Sequence, residues 1–109
     1  MNDVREEAHR QLEEVRHDFA SRVGDMVEEI VRAWKTAQAA SDPVSSLGSM
    51  TELVHQLAGN AGFFGLVDIS RRASELEQRL DRLGIQTLSE AEVGETHRLV
   101  QILQIHARS

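Results

Sequence analysis

Apolar residues recur every three or four positions along nearly the whole chain, which is the spacing of one face of an α-helix. The first stripe of this kind includes Val4, Ala8, Leu12, Val15, Phe19, Val23, Met26, Ile30, Ala33 and Ala37. It predicts either one helix over residues 3–39 or two helices that meet near Gly24. A long uncapped pattern is typical of an extended helix, whereas an internal glycine favours a break. We expect a break or bend near residues 18–24.

Three further stripes of helical spacing follow the first. They run from Leu47 to Phe64, from Leu66 to Leu83 and from Val93 to Ala107. No alternating pattern of the kind that predicts a β-strand is present. The sequence therefore predicts an all-α protein, an antiparallel up-down four-helix bundle with an extended or broken N-terminal helix.

Residues with known preferences for helix ends separate the stripes. Proline in Ser41-Asp42-Pro43 ends the first pattern, and Asp42 can cap the helix that follows. Gly84 suits the position just after the third helix. Ser89-Glu90-Ala91-Glu92 has the form of a capping box at the start of the fourth.

A chain of 109 residues is long enough for one modest core. We expect a single domain over residues 1–109, with 1–20 as an N-terminal helical extension or cap and 21–109 as the bundle. Phe19 and Trp34 lie on the first apolar stripe, so we expect both in the core. The N-terminal half of that stripe must either project beyond the bundle, where it could pair with another chain, or fold back over the bundle's end. Val4, Leu12 and Val15 need a partner in either case.

Composition excludes several classes of function. The chain has no cysteine, which excludes disulfides, zinc–thiolate sites and thiol nucleophiles, and its formal charge of −6 disfavours nucleic acid and anionic membranes as partners. The adjacent Arg71 and Arg72 are interpreted as solvated helix surface. Neither a signal peptide nor an apolar run of the ~20 residues that a membrane span needs is present. We therefore expect a cytoplasmic protein.

The stretch LVHQLAGNAGFFGL, residues 53–66, places a histidine among glycines inside the second predicted helix. At about 100° per residue, His55 lies well away from the apolar stripe, so its ring should reach solvent. The residues expected on the same side are all small: Gly48, Thr51, Ala58, Gly59 and Gly62. Since glycine in a helix costs about 1 kcal/mol relative to alanine, the pattern indicates clearance around an accessible imidazole. The alternative is an ordinary surface histidine in a stretch that tolerates glycine.

The segment HQLAGNAGFFGL resembles the signature of histidine-containing phosphotransfer (HPt) domains. The matching positions are His55, Leu57, Gly59, Ala61, Phe64, Gly65 and Leu66. One position departs from the family pattern, because Ala58 stands where many members have a lysine that helps to hold the phosphoryl group. The positive charge must then come from the partner, from another helix or from nowhere.

The resemblance implies that His55 carries a phosphoryl group on Nε2 and exchanges it with an aspartate of a response-regulator receiver domain. It also implies a hydrogen bond from the other ring nitrogen to Glu77, with Gln78 and Ser74 as weaker candidates. The expected partner-binding residues are Thr51, Glu52, Ala58, Gly59, Gly62 and Phe63. No intrinsic cofactor is expected, since Mg²⁺ belongs to the receiver domain. A histidine kinase is a possible second partner.

Two other functions are compatible with a helical chain of this kind. In the first, the protein is a helical dimerisation or scaffold module in which the long first helix acts and His55 is incidental. For the phosphotransfer protein we expect a monomer or a dimer formed through the N-terminal helix. The second, the phosphoacceptor portion of a sensor kinase, is disfavoured because His55 lacks the following acidic residue and the downstream proline. The chain has no nucleotide-binding loop, which favours a phosphoryl carrier over a kinase. We interpret His9, His17, His97, His106, Arg72 and Arg79 as surface or boundary residues.

Overall fold

The computed structural model of the protein describes residues 2–40, 43–83 and 89–108. Four helices make up these ranges: α1 (Asn2–Ala39), α2 (Pro43–Phe63), α3 (Val67–Leu83) and α4 (Glu90–Arg108). Each helix packs on the next one in the chain, and α4 returns to pack on α1. The predicted all-α four-helix bundle is confirmed, and the described ranges contain no β-strand.

Helix α1 is continuous through Gly24, so the expected break near residues 18–24 is wrong. Val23 and Val27 are both buried, which means that the helix packs on the core on either side of the glycine. Tertiary packing of this kind outweighs the roughly 1 kcal/mol that one glycine costs a helix. Of the two predicted forms of the N-terminal helix, the extended one is present.

The N-terminal part of α1 lies beyond the bundle. Val4, Leu12 and Val15 are exposed there, and Phe19 is the first buried side chain of the helix. The division of the chain at residue 20 stays a prediction, since one continuous helix crosses it.

The core is mostly aliphatic and is built from all four helices. Its largest fully buried side chains are Trp34, Ile30, Met50, Leu57, Leu76, Leu80 and Leu103. Phe19 and Trp34 are buried as predicted. Phe19 also packs on Phe64, with 5.0 Å between ring centroids, and closes the end of the bundle where α2 turns into α3.

The predicted cap of α4 is confirmed, because Ser89 Oγ accepts a hydrogen bond of 3.2 Å from the Glu92 backbone N–H. The predicted roles of Asp42 and Gly84 as helix-end residues lie outside the described residues. Across the ranges that are described, no helix combines the length and apolar character needed to cross a membrane.

Candidate functional site

The connection between α2 and α3 is short, and each backbone N–H of residues 64–66 donates a hydrogen bond to a carbonyl of α2. Gly65 adopts the left-handed conformation, with φ of 80°, that glycine accommodates without strain. The Leu66 N–H donates to the Ala61 carbonyl at 2.8 Å, and the Gly65 N–H donates to the Gly62 carbonyl at 3.2 Å. This pair of bonds is a Schellman motif, which ends α2 and starts α3 alongside it. Helix α2, which carries His55, and helix α3 are therefore held as one antiparallel hairpin.

A close approach between α2 and α3 follows directly after this turn. Ser70 Oγ donates a hydrogen bond of 2.9 Å to the Ala58 carbonyl. A Cβ atom added at Gly62 would lie 3.1 Å from Ser70 Oγ, whereas one added at Gly59 would meet nothing within 4 Å. Gly62 is thus explained by packing. Gly59 is an exposed glycine inside a helix, and no neighbouring side chain requires it.

His55 projects from the α2 arm of this hairpin, and 68% of its side chain is exposed. Its Nδ1 lies 2.5 Å from Oε2 of Glu77 on α3, whose side chain is 24% exposed. An ionised carboxylate can only accept a hydrogen bond, so the Nδ1 proton points to Glu77. In the neutral ring this arrangement leaves the lone pair on Nε2, the nitrogen on the opposite edge of the ring.

The structure places most of the expected partner-binding residues at the surface around His55. Gly59, Gly62 and Glu52 are exposed, and Glu52 accepts a hydrogen bond from the Gln56 amide at 3.3 Å. Thr51 is half-buried, and its hydroxyl donates a hydrogen bond of 2.7 Å to the Leu47 carbonyl within α2. These small or short side chains leave the imidazole accessible.

Ala58 does not belong to that surface, so the expectation that it lies on the exposed side of α2 beside His55 is wrong, while its contact with a partner stays a prediction. Only 7% of the residue is exposed, because α3 packs over this side of α2. The helical angle of Ala58 placed it on the flank of the apolar stripe, but it could not show which flank the next helix covers. A lysine at this position would have to extend from a buried site.

Phe63 adds an apolar group to the surface at the C-terminal end of α2. The residue is 77% exposed and meets the ring of Phe64 edge-on, with 4.9 Å between centroids. Because Phe64 is itself packed on the core, it supports Phe63 from below. An exposed aromatic group on a fixed base is a suitable contact for a protein partner.

Positive charge is absent from the helix that carries His55. No lysine or arginine lies between Lys35 and Arg71 in the sequence. On α3, Arg71 pairs with Asp68 at 3.4 Å, and Arg72 lies 3.7 Å from Glu75. Position 58 is alanine, and helix α2 supplies no lysine or arginine near His55.

The remaining candidates do not join the site. Among the described residues, no hydrogen bond links His55 to Gln78 or Ser74, and Arg79 lies near Glu95 of α4. His9, His17 and His97 are exposed and His106 is half-buried. Within the ranges that the structure covers, no three histidine or acidic residues are grouped to hold a metal ion. Sequence reasoning missed Ser70, because no motif marks a serine whose hydroxyl bonds across to another helix.

Fold and site together define a helical bundle that displays one oriented, solvent-accessible histidine on a hairpin. The family model described as Hpt domain matches residues 1–106, so the chain belongs to the Hpt domain family. Neither the curated proteins nor the solved structures gave a significant match. Hpt domains perform histidine phosphotransfer in two-component phosphorelays together with receiver domains and kinases.

The two glycines beside His55 are expected to respond differently to alanine. Gly59→Ala should raise the free energy of unfolding by about 0.5–1 kcal/mol, because the new methyl group has open space and the helix gains propensity. Gly62→Ala should give none of this gain, since the Ser70 hydroxyl must move to accommodate the Cβ atom. Urea unfolding of both variants measures the difference, and equal gains would contradict the close approach at Gly62.

Proposed function

We propose that His55 is the phosphoacceptor of this Hpt domain, accepting a phosphoryl group from the aspartate of one receiver domain and donating it to the aspartate of another. One observation carries the proposal. The imidazole of His55 is exposed to an incoming partner, and at the same time its Nδ1 is held by Glu77. An exposed ring with one nitrogen bonded presents the other nitrogen in a defined direction.

In the forward step, the lone pair on His55 Nε2 attacks phosphorus in the receiver's aspartyl phosphate. The bond between phosphorus and the acyl oxygen breaks, and the aspartate leaves as a carboxylate. Nδ1 keeps its proton, so the phosphorylated ring gains positive charge beside the carboxylate of Glu77. Glu77 thereby stabilises the charge that develops on the ring, and the reverse of these steps returns the phosphoryl group to an aspartate.

The partner supplies the remaining parts of the reaction in this proposal. Phosphoryl transfer needs neutralisation of the phosphate charge, and Mg²⁺ bound by the receiver domain provides it. The absence of lysine and arginine from α2 supports this division, because the helix has no cation of its own to offer. The domain acts as a carrier of the phosphoryl group. We expect it in the cytoplasm together with the receiver domains that it serves.

The receiver domain approaches the face of α2 that carries His55. Glu52, Thr51, Gly59 and Gly62 border the ring, and Phe63 offers an apolar contact at one end. A histidine kinase is the second candidate partner. Transfer needs one His55 for each receiver, so the proposal applies both to a monomer and to a dimer paired through the exposed stripe of α1.

Replacement of His55 is expected to abolish phosphorylation of the chain. The protein is incubated with a phosphorylated receiver domain, and acid-labile, alkali-stable label is measured on it. His55→Gln should carry no label, because glutamine cannot form a phosphoramidate at that position, while His97→Gln on α4 should be labelled like the unaltered protein. Undiminished label in His55→Gln would refute the proposal.

Removal of the Glu77 carboxylate should slow transfer. Glu77→Ala is expected to lower the transfer rate by about tenfold, since a charge-assisted hydrogen bond contributes about 1.5 kcal/mol and 1.4 kcal/mol corresponds to tenfold. Glu77→Gln keeps an acceptor and should lose less. Glu75→Ala, on the same helix but paired with Arg72, provides the matched control. Equal rates in Glu77→Ala and Glu75→Ala would remove Glu77 from the mechanism.

A further inference from the structure

Ser70 forms a hydrogen bond that differs from those donated by the hydroxyl groups of Ser21, Thr51 and Thr96. Ser21, Thr51 and Thr96 each donate to a carbonyl three or four residues earlier in their own helix, which is the common arrangement. Ser70 Oγ instead crosses to α2 and donates to the Ala58 carbonyl at 2.9 Å. The bond joins the two helices that hold His55 and Glu77.

The position of this bond relates it to both groups of the site. Ala58 lies three residues after His55 on α2, and Ser70 lies seven residues before Glu77 on α3. Residues seven apart share one side of a helix, so Ser70 and Glu77 both face α2. Glycine at position 62 leaves room for the Ser70 hydroxyl, since a Cβ atom there would approach it to 3.1 Å.

We infer that Ser70 is a positioning residue. Its bond to the Ala58 carbonyl fixes the lengthwise alignment of α3 on α2, and this alignment places Glu77 opposite His55. The inference rests on the proposed function of His55. A slide of α3 by one residue amounts to about 1.5 Å, which changes the distance and the angle at which the carboxylate meets Nδ1. The turn at Gly65 fixes one end of the hairpin, and the Ser70 bond fixes the register next to the site.

Ser70→Ala tests the inference through two readouts. The ring nitrogen and proton signals of His55, measured by NMR on the unphosphorylated protein, should move part of the way toward those of Glu77→Ala. The rate of phosphoryl transfer from a phosphorylated receiver should fall about threefold, as expected for partial loss of one hydrogen bond. The substitution removes a single oxygen atom and leaves helix α2, including the Ala58 carbonyl, unchanged in sequence.

Ser21→Ala is the matched control, because it removes the same atom from a hydroxyl that donates to the Asp18 carbonyl within α1. It should leave both readouts unchanged. In a Glu77→Ala background, Ser70→Ala should cause no further loss of rate, since Ser70 acts through Glu77.

Wild-type ring signals and rate in Ser70→Ala would overturn the inference, and so would a full additional loss of rate in the Glu77→Ala background. Failure of His55 to carry label is a separate result. Absence of label in the unaltered protein would refute the proposed function. The NMR signals of the unphosphorylated ring would still show whether Ser70 positions Glu77 against His55.

Discussion

The close approach of α2 and α3 is the constraint on which the site depends. Because Gly62 has no side chain and Ser70 has a short one, the two helices come together directly after the turn at Gly65. This packing buries Ala58 and brings the carboxylate of Glu77 to Nδ1 of His55. Without that approach, His55 would be one more exposed histidine on a helix surface, with neither ring nitrogen distinguished from the other.

The site combines exposure with orientation, two properties that usually oppose each other. A buried histidine is easily held in place but cannot meet an aspartate on another protein. Here a half-buried carboxylate holds one edge of the ring while 68% of the side chain stays exposed. Gly59 keeps the approach open at the expense of helix propensity, and the packed core beneath α2 compensates for that loss.

In the proposed mechanism, electrostatics divide the chemistry between this domain and the receiver domain. Helix α2 contains no lysine or arginine, and the ionisable side chain that contacts His55 is a carboxylate. That carboxylate suits the proton on Nδ1 and the positive charge of a phosphorylated ring. It does not suit the phosphate, whose charge we assign to the receiver domain and its Mg²⁺ in the proposed mechanism.

Much of the fold could be predicted from the sequence, because helical periodicity records which side of each helix is buried. The break expected near Gly24 does not occur, because the packing of Val23 and Val27 on the core outweighs the low helix propensity of one glycine. Ala58 was misplaced for another reason, since the angle of a residue on one helix does not show where the next helix packs. Ser70 escaped notice because its partner is twelve residues away, on another element.

The ring nitrogen that bonds to phosphorus shows whether Glu77 orients His55. If Glu77 holds Nδ1, the phosphoryl group must form on Nε2 of His55. NMR of the phosphorylated protein, with ¹⁵N in its histidine rings, identifies the bonded nitrogen by its one-bond coupling to phosphorus. We expect coupling to Nε2 of His55 and a proton retained on Nδ1. Coupling to Nδ1, or to a ring other than that of His55, would contradict it.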